Sequence, residues 1–318
     1  MQQTTKQFIP SVNFHLWEPC NMRCKFCFAT FQDVKQSILP KGHLPREQAI
    51  QVVQQLADFG FQKITFAGGE PTLCKWLPEL IATAKDAGMT TMIVTNGSQL
   101  TDEFLEVNKS KLDWIAISID SLNDKTNLTT GRAIAGKRPL PLDYYKSLAD
   151  RVKLFGYGLK LNTVVNRKNF NENMSDFIRY VKPKRWKVLQ VLPIAGQNDI
   201  KIDALKISDS EFQLFVDHHS DLQDCTSIVP ETNSQITGSY AMVDPAGRFF
   251  DNASGTYNYS RPIIEVGAKT AMEEVNYDVS KFISRGGLYD WIKKSEAVSD
   301  TPDRFAIPTK FPILFGNR

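Results

Sequence analysis

The chain has 318 residues, 38 Lys and Arg against 35 Asp and Glu, and 42% hydrophobic content. That is enough for a proper core and too mild a charge, with no run of like sign, to demand nucleic acid or an anionic membrane as partner. Met1 to Pro10 has no apolar secretion core and no stretch nears the roughly 18 apolar residues of a membrane span, so the expectation is a soluble, cytoplasmic monomer.

Strand-like runs alternate with helix-like segments along the first two thirds. Apolar runs fall at Val12–Trp17, Lys63–Ala67, Thr90–Thr95, Trp114–Ile119, Leu159–Val165 and Trp186–Pro193. Between them, amphipathic periodicity predicts helices over Arg46–Phe59 (apolar Ile50, Val53, Leu56 and Ala57), Leu77–Ala87, Asp102–Val107, Leu142–Phe155 and Glu172–Val181. Gly60, Gly88 and Gly156 follow helix ends, as left-handed caps do. Six βα steps imply an α/β fold around a parallel sheet with crossovers of one hand. Periodicity leaves a closed eight-stranded barrel, an open doubly wound sheet and an incomplete six-stranded barrel as alternatives.

Unusual residues gather where these strands end, the rim at which parallel barrels carry their sites. After the first strand come Cys20, Cys24 and Cys27, spaced C-x3-C-x2-C. Three soft thiolates in one loop suit an iron–sulfur cluster with one iron left open, or a structural zinc completed by His15 or His43. Gly68-Gly69-Glu70-Pro71 follows the second strand, Asn96-Gly97 the third, and Ser118, Asp120 and Ser121 close the fourth. Cys74 and Cys225 stand alone, so neither a disulfide framework nor a second cluster is expected, and each reads as a small buried residue in a reducing compartment.

The cysteine spacing, with Phe26 directly before the third cysteine and Gly-Gly-Glu-Pro one βα unit later, resembles the radical S-adenosylmethionine (SAM) superfamily. The resemblance implies an incomplete (βα)6 barrel and a [4Fe-4S] cluster on Cys20, Cys24 and Cys27, whose open iron binds SAM. It further implies that Gly68, Gly69, Glu70 and Pro71 meet the methionyl amino group, Ser118 the ribose and Arg132 the carboxylate. Asn96 is a further candidate on the cofactor side, or a turn former in an Asn-Gly pair.

At the opposite strand ends lie Asn13, Lys63, Lys160, Asn162, Arg185 and Lys187. Alternation puts Lys160 with Asn162 on one face and Arg185 with Lys187 on another single face. If both point inward, four cations converge, and burying them requires a polyanionic ligand such as a triphosphate; otherwise they solvate the barrel bottom.

Asn13-Phe14-His15, Lys160-Leu161-Asn162-Thr163-Val164, Arg185-Trp186-Lys187-Val188, Val229-Pro230-Glu231 and Arg285-Gly286-Gly287 are similar to the viperin family of antiviral radical SAM enzymes, in order from about Asn13 to Trp291. That likeness implies a ribonucleoside triphosphate (CTP, UTP or GTP) that loses its ribose 4′-hydrogen and its 3′-hydroxyl, giving a 3′-deoxy-3′,4′-didehydro nucleotide. Lys63, Lys160, Arg185 and Lys187 would bind phosphates, Asn13 and Asn162 the sugar and phosphates, and Tyr240 would be an acid beside the departing hydroxyl. The electron would come from an external flavodoxin or ferredoxin. Residues 1–11 form a lead-in, 12–195 the partial barrel and 196–318 an extension closing it, with a tail from about 292 as lid or disordered segment. Leu288 departs from the family's Lys after Arg-Gly-Gly, and Met1 to Ser11 cannot supply a membrane helix, so membrane association is not implied. The rival readings are a radical SAM enzyme acting on a peptide or another small molecule, and a zinc-stabilised binding protein without catalysis.

Overall fold

The computed structural model describes residues 8–291. One sheet of ten strands forms its frame, in the order β10-β9-β8-β1-β2-β3-β4-β5-β6-β7. The strands are β1 Ser11–Trp17, β2 Lys63–Gly68, β3 Thr90–Thr95, β4 Trp114–Ser118, β5 Gly158–Val165, β6 Arg185–Gln190, β7 Ser227–Glu231, β8 Ala241–Val243, β9 Arg248–Asp251 and β10 Asn258–Pro262. Strands β1 to β6 pair in sequence order and in parallel. Of the three architectures that the alternation of elements left open, this is the partial barrel that the family resemblance implied, an open sheet rather than a closed cylinder.

The C-terminal third adds strands to both edges of that sheet. Strand β7 pairs in parallel with β6, and β8 in parallel with β1, while β9 and β10 continue antiparallel beyond β8. Pro230 is tolerated in β7 because β7 is an edge strand whose outer side has no ladder to complete.

The helices form where periodicity places them, with small differences that have local causes. The helix Arg46–Phe59 buries Ala49, Val52, Val53 and Leu56, so the stripe is rotated by one position from the expected one and Ile50 and Ala57 flank it. Gly60 caps it at φ 109°, and Gly88 and Gly156 take positive φ in the same role. The helix expected from Glu172 begins only at Ser175, because the Glu172 carboxylate instead accepts hydrogen bonds from Ser121 and Thr126 and ties the chain back to the β4 rim. Strand β6 stops at Gln190 rather than Pro193, where Pro193 can no longer donate to a ladder. Cys74 is buried as expected, whereas Cys225 is only partly buried. The tail from 292, with Pro302, Pro308, Pro312, Phe305, Phe311 and Phe315, lies outside the described residues.

Register is what turns this frame into a site. Lys160 pairs with Arg185 and Asn162 with Lys187 across β5 and β6, and Ser118 of β4 pairs with Asn162. Side chains two apart share a face, so one lateral step of the sheet carries the whole polar set together.

Candidate active site

One cavity is lined by Cys20, Cys24 and Cys27 together with Gly68, Gly69, Asn96, Ser118 and Arg132, and equally by Asn13, Lys63, Lys160, Asn162, Arg185, Lys187 and Tyr240. Of the residues expected to meet cofactor or substrate, Glu70 and Pro71 sit behind the wall rather than on it.

The cysteine loop is held by backbone contact from both sides. Glu70 N–H donates to Pro19 O at 2.9 Å, Arg23 N–H to Gly131 O at 3.1 Å and Lys25 N–H to Thr130 O at 2.8 Å. A Cβ on Gly69 would lie 2.1 Å from Glu18 O, and one on Gly131 2.0 Å from Arg23 O. Glycine at both points therefore serves the approach of the protein's own chain to this loop as well as any ligand. Glu70, fully buried, accepts from Thr72 N–H at 3.1 Å, Thr95 Oγ1 at 2.6 Å and Asn96 N–H at 2.7 Å. Asn96 Nδ2 then donates to Asn21 Oδ1 at 2.9 Å, so Asn96 is more than a turn former: it joins the ends of β2 and β3 to the cysteine loop.

The three thiols line the cavity in a strongly desolvated setting. Burial pushes Cys20 up to about 11 and Cys24 up to about 12, and raises Cys27 too, while Arg132 pulls all three the other way. Buried thiolates need cationic compensation, which a bound metal centre supplies and one guanidinium does not. Arg132 is already paired to Asp120 Oδ2 and lies 5.4 Å over the Phe26 ring; that carboxylate, against the cost of burial, holds its pKa above the ordinary arginine value.

The zinc alternative lacks its expected fourth ligand, since neither His15 nor His43 is grouped with the cysteines. Among the described residues, no three His, Cys, Asp or Glu side chains are grouped as a single ion requires. His15 is caged by the rings of Phe28, Phe31 and Phe250, where burial lowers it to about 4, and His43 stacks on Trp17 at 4.0 Å.

At the other strand ends the expected cations do point inward. Lys63, Lys160, Arg185 and Lys187 are each at most 7% exposed, and the structure adds a fifth, Arg285, at 5%. The Tyr289 ring lies 4.3 Å from Arg185 Cζ, 5.2 Å from Lys63 Nζ and 5.7 Å from Lys160 Nζ. Among the described residues the only carboxylate paired with any of the five is Glu231, 2.5 Å from Lys187 Nζ and 3.2 Å from Arg285. Burial, then the neighbouring cations, lower Lys63 to about 7. Lys187 also falls to about 7, burial outweighing the opposing pull of Glu231, and burial carries Lys160 well below its usual range. Glu231 itself is held at about 2, since Lys187 and Arg285 outweigh its burial. Arg185 Nε and Asn162 Oδ1 are buried and without a hydrogen-bond partner. Five cations against one carboxylate, with orphaned polar atoms among them, is a site shaped for an anion.

Tyr240 sits inside this cluster. Its hydroxyl accepts from Lys187 Nζ and donates to Glu231 Oε2, its ring lies 3.6 Å from Arg285 Cζ, and burial holds its pKa well above the ordinary tyrosine value. Sequence reading assigned no role to Glu231, Arg285 or Tyr289. Val-Pro-Glu and Arg-Gly-Gly were visible as motifs, but their convergence depends on β7 and the Val279–Ser284 helix reaching the same end of the sheet.

The comparisons agree with this architecture. The family model of the radical SAM superfamily matches residues 17–199. An S-adenosylmethionine-dependent nucleotide dehydratase of Lacinutrix mariniflava is 65% identical over 89% of this chain, which spans 59% of that protein's length. A protein of the same name from Flammeovirga pacifica is 57% identical over 89% of this chain and 96% of its own. The crystal structure of Streptococcus suis SuiB bound to S-adenosylmethionine superimposes with a TM-score of 0.60 over 76% of this chain and 60% of its own, at 18% identity, a likeness of fold. The chain belongs to the radical SAM superfamily and, within it, to the family of the S-adenosylmethionine-dependent nucleotide dehydratases.

Proposed function

We propose that the chain is a nucleotide dehydratase that removes water from the ribose of a ribonucleoside triphosphate, giving the 3′-deoxy-3′,4′-didehydro nucleotide. The observation that carries this is the single cavity with thiols at one set of strand ends and an undercompensated cluster of five cations at the other. Cys20, Cys24 and Cys27 would hold a [4Fe-4S] cluster, with Gly68, Gly69, Asn96, Ser118 and Arg132 around SAM. When bound, the pair supplies the electron and the 5′-deoxyadenosyl group that removes a ribose hydrogen.

The chain's own residues bind and position. Lys63, Lys160, Arg185, Lys187 and Arg285 take the phosphates, and Asn13 and Asn162 orient the sugar between them and the SAM rim. The Tyr240 hydroxyl, kept protonated by burial, would serve as the acid for the departing 3′-hydroxyl and could refill its proton through Lys187. CTP, UTP and GTP are all compatible with this anchoring, because it engages no base. An acidic one-electron carrier, a flavodoxin or ferredoxin, supplies the reductant, and a chain-terminating product would serve antiviral defence.

The test is anaerobic reconstitution with iron and sulfide, then incubation with SAM, dithionite and each triphosphate in turn. A triphosphate that stimulates 5′-deoxyadenosine release and yields a product lighter by one water supports the reading. Release indifferent to every nucleotide would sink it and favour a peptide or another small molecule as substrate.

A further inference from the structure

The surface over the cysteine loop has a charge pattern that the reaction inside the cavity does not use. Arg23 and Lys25, between the cluster cysteines, are both exposed, and so are Lys137 and Arg138 in the segment that follows Gly131. The two segments are stitched into one face. Arg23 N–H bonds Gly131 O at 3.1 Å, Lys25 N–H bonds Thr130 O at 2.8 Å and Ala135 N–H bonds Asn21 O at 2.7 Å. Met22 bridges Ile134, which in turn bridges Arg138. The Arg23 guanidinium is fastened over the loop by bonds to Cys20 O at 2.6 Å and Met22 O at 2.8 Å.

Neither residues 20–28 nor residues 129–138 contain a single Asp or Glu, and the one other cation there, Arg132, turns inward to Asp120. These two segments thus carry four exposed cations and no acid. The chain as a whole is nearly balanced, with 38 basic residues against 35 acidic ones, so four unopposed cations in two adjoining segments stand out. Leu128, 42% exposed and one turn before Gly131, adds an apolar contact beside them.

We infer that this face is the docking surface for an acidic one-electron carrier protein; the inference rests on the radical SAM reading of the cysteine loop. Electron-transfer partners meet through small interfaces whose encounter is steered by opposite charge and whose centre must lie close to the redox group. Arg23 and Lys25 belong to the loop that would ligate the cluster, so a carrier seated on them would lie directly against that loop. An acidic flavodoxin fits this face; the exposed cations would guide its approach and the interaction would weaken with salt.

The test uses the reconstituted, cluster-loaded protein and the double variant Lys137→Glu/Arg138→Glu, which alters neither a cysteine nor a residue of the cavity. Binding of an oxidised acidic flavodoxin is measured by calorimetry, and 5′-deoxyadenosine formation is driven either by the reduced flavodoxin or by methyl viologen radical cation. The expected result is a rise in Kd and a fall in flavodoxin-driven kcat/KM of at least 10-fold, with the viologen-driven rate unchanged. Wild-type flavodoxin-driven rates should fall steeply between 50 and 300 mM salt, as steered encounters do, while viologen-driven rates stay level (on the order of a Debye length of screening). Equal losses with both reductants, or flavodoxin binding untouched by the variant and by salt, would overturn the assignment. So would binding of anionic vesicles or single-stranded RNA tighter than that of the flavodoxin. If even methyl viologen gives no 5′-deoxyadenosine with wild-type protein, the radical SAM reading fails rather than the docking face.

Discussion

Replacing Glu231 by Gln tests how the cation cluster is kept folded without a ligand. Glu231 is fully buried and is the carboxylate that Lys187 and Arg285 share, with Tyr240 donating to its second oxygen. Its pKa falls from an ordinary 4.5 to about 2, a gap worth roughly 3 kcal/mol at ~1.4 kcal/mol per pH unit. Because the folded value is depressed, this stability is present above pH 4.5 and is lost as pH falls toward 2. Removing one partner of a buried pair costs about 3–5 kcal/mol by the same reasoning, since the other charges stay buried. For a domain of this size, at roughly 2 °C per kcal/mol, Glu231→Gln should lower the ligand-free Tm by about 6–10 °C at pH 7. A bound triphosphate brings the missing negative charge, so saturating inorganic tripolyphosphate should stabilise the variant more than the wild type and close at least half of that gap. Differential scanning fluorimetry with and without tripolyphosphate reads both quantities. The same gap under both conditions would mean that the anion does not reach this cluster, and the argument from charge would be refuted.

Further expectations concern the cations and the rim. Lys187→Ala should weaken triphosphate binding at least 10-fold while leaving SAM binding within about 2-fold; equal losses would contradict its placement away from the SAM rim. Since Lys63 and Lys187 lie near pH 7 when no anion is bound, triphosphate binding should draw protons onto them, and affinity should decline as pH rises from 7 to 9. Calorimetry at pH 8.5 in two buffers of different ionisation enthalpy should show net proton uptake, and none would count against it. Stability of the ligand-free protein should move oppositely: lysines depressed in the folded state make the unfolded state the better proton binder, so stability from this source rises between about pH 7 and 10.5. Gly69→Ala would push a methyl into Glu18 O and Pro19 O, which are backbone and cannot rotate away; about 1–3 kcal/mol of stability and most of the iron loading should be lost, while Gly88→Ala, with open space around it, should retain its iron.

Period-2 alternation carried the site further than motif spelling did. The strand faces of Lys160, Asn162, Arg185 and Lys187 follow from sequence because a strand offers a side chain only two directions, and the run Thr90–Thr95 is bounded as expected for the same reason. Strands β7 to β10 were not legible: they are three to five residues long, and β7 is interrupted by Pro230. Nor could spacing show that Glu70 faces β3 instead of the cavity, since that depends on Thr95 and Asn96, some twenty-five residues away.

The same limit reshapes the inference from charge. Four inward cations with no counterion would demand a polyanion outright, yet β7 brings Glu231 to Lys187, and Arg285 arrives to share that carboxylate. The added acid and the added base offset each other, so a surplus of basic groups survives, now concentrated on Lys63, Lys160 and Arg185 around Tyr289 and on the half-satisfied pair beside Tyr240. An aromatic face attracts a cation but does not neutralise it, so Tyr289 can hold the three in place without removing the field they project. The field is therefore strongest where no carboxylate stands, at the start of β2, β5 and β6. On the proposed reading, an anion drawn there would leave whatever is attached to it extending along the strands toward the cysteine rim, the orientation that a ribose between triphosphate and SAM would require.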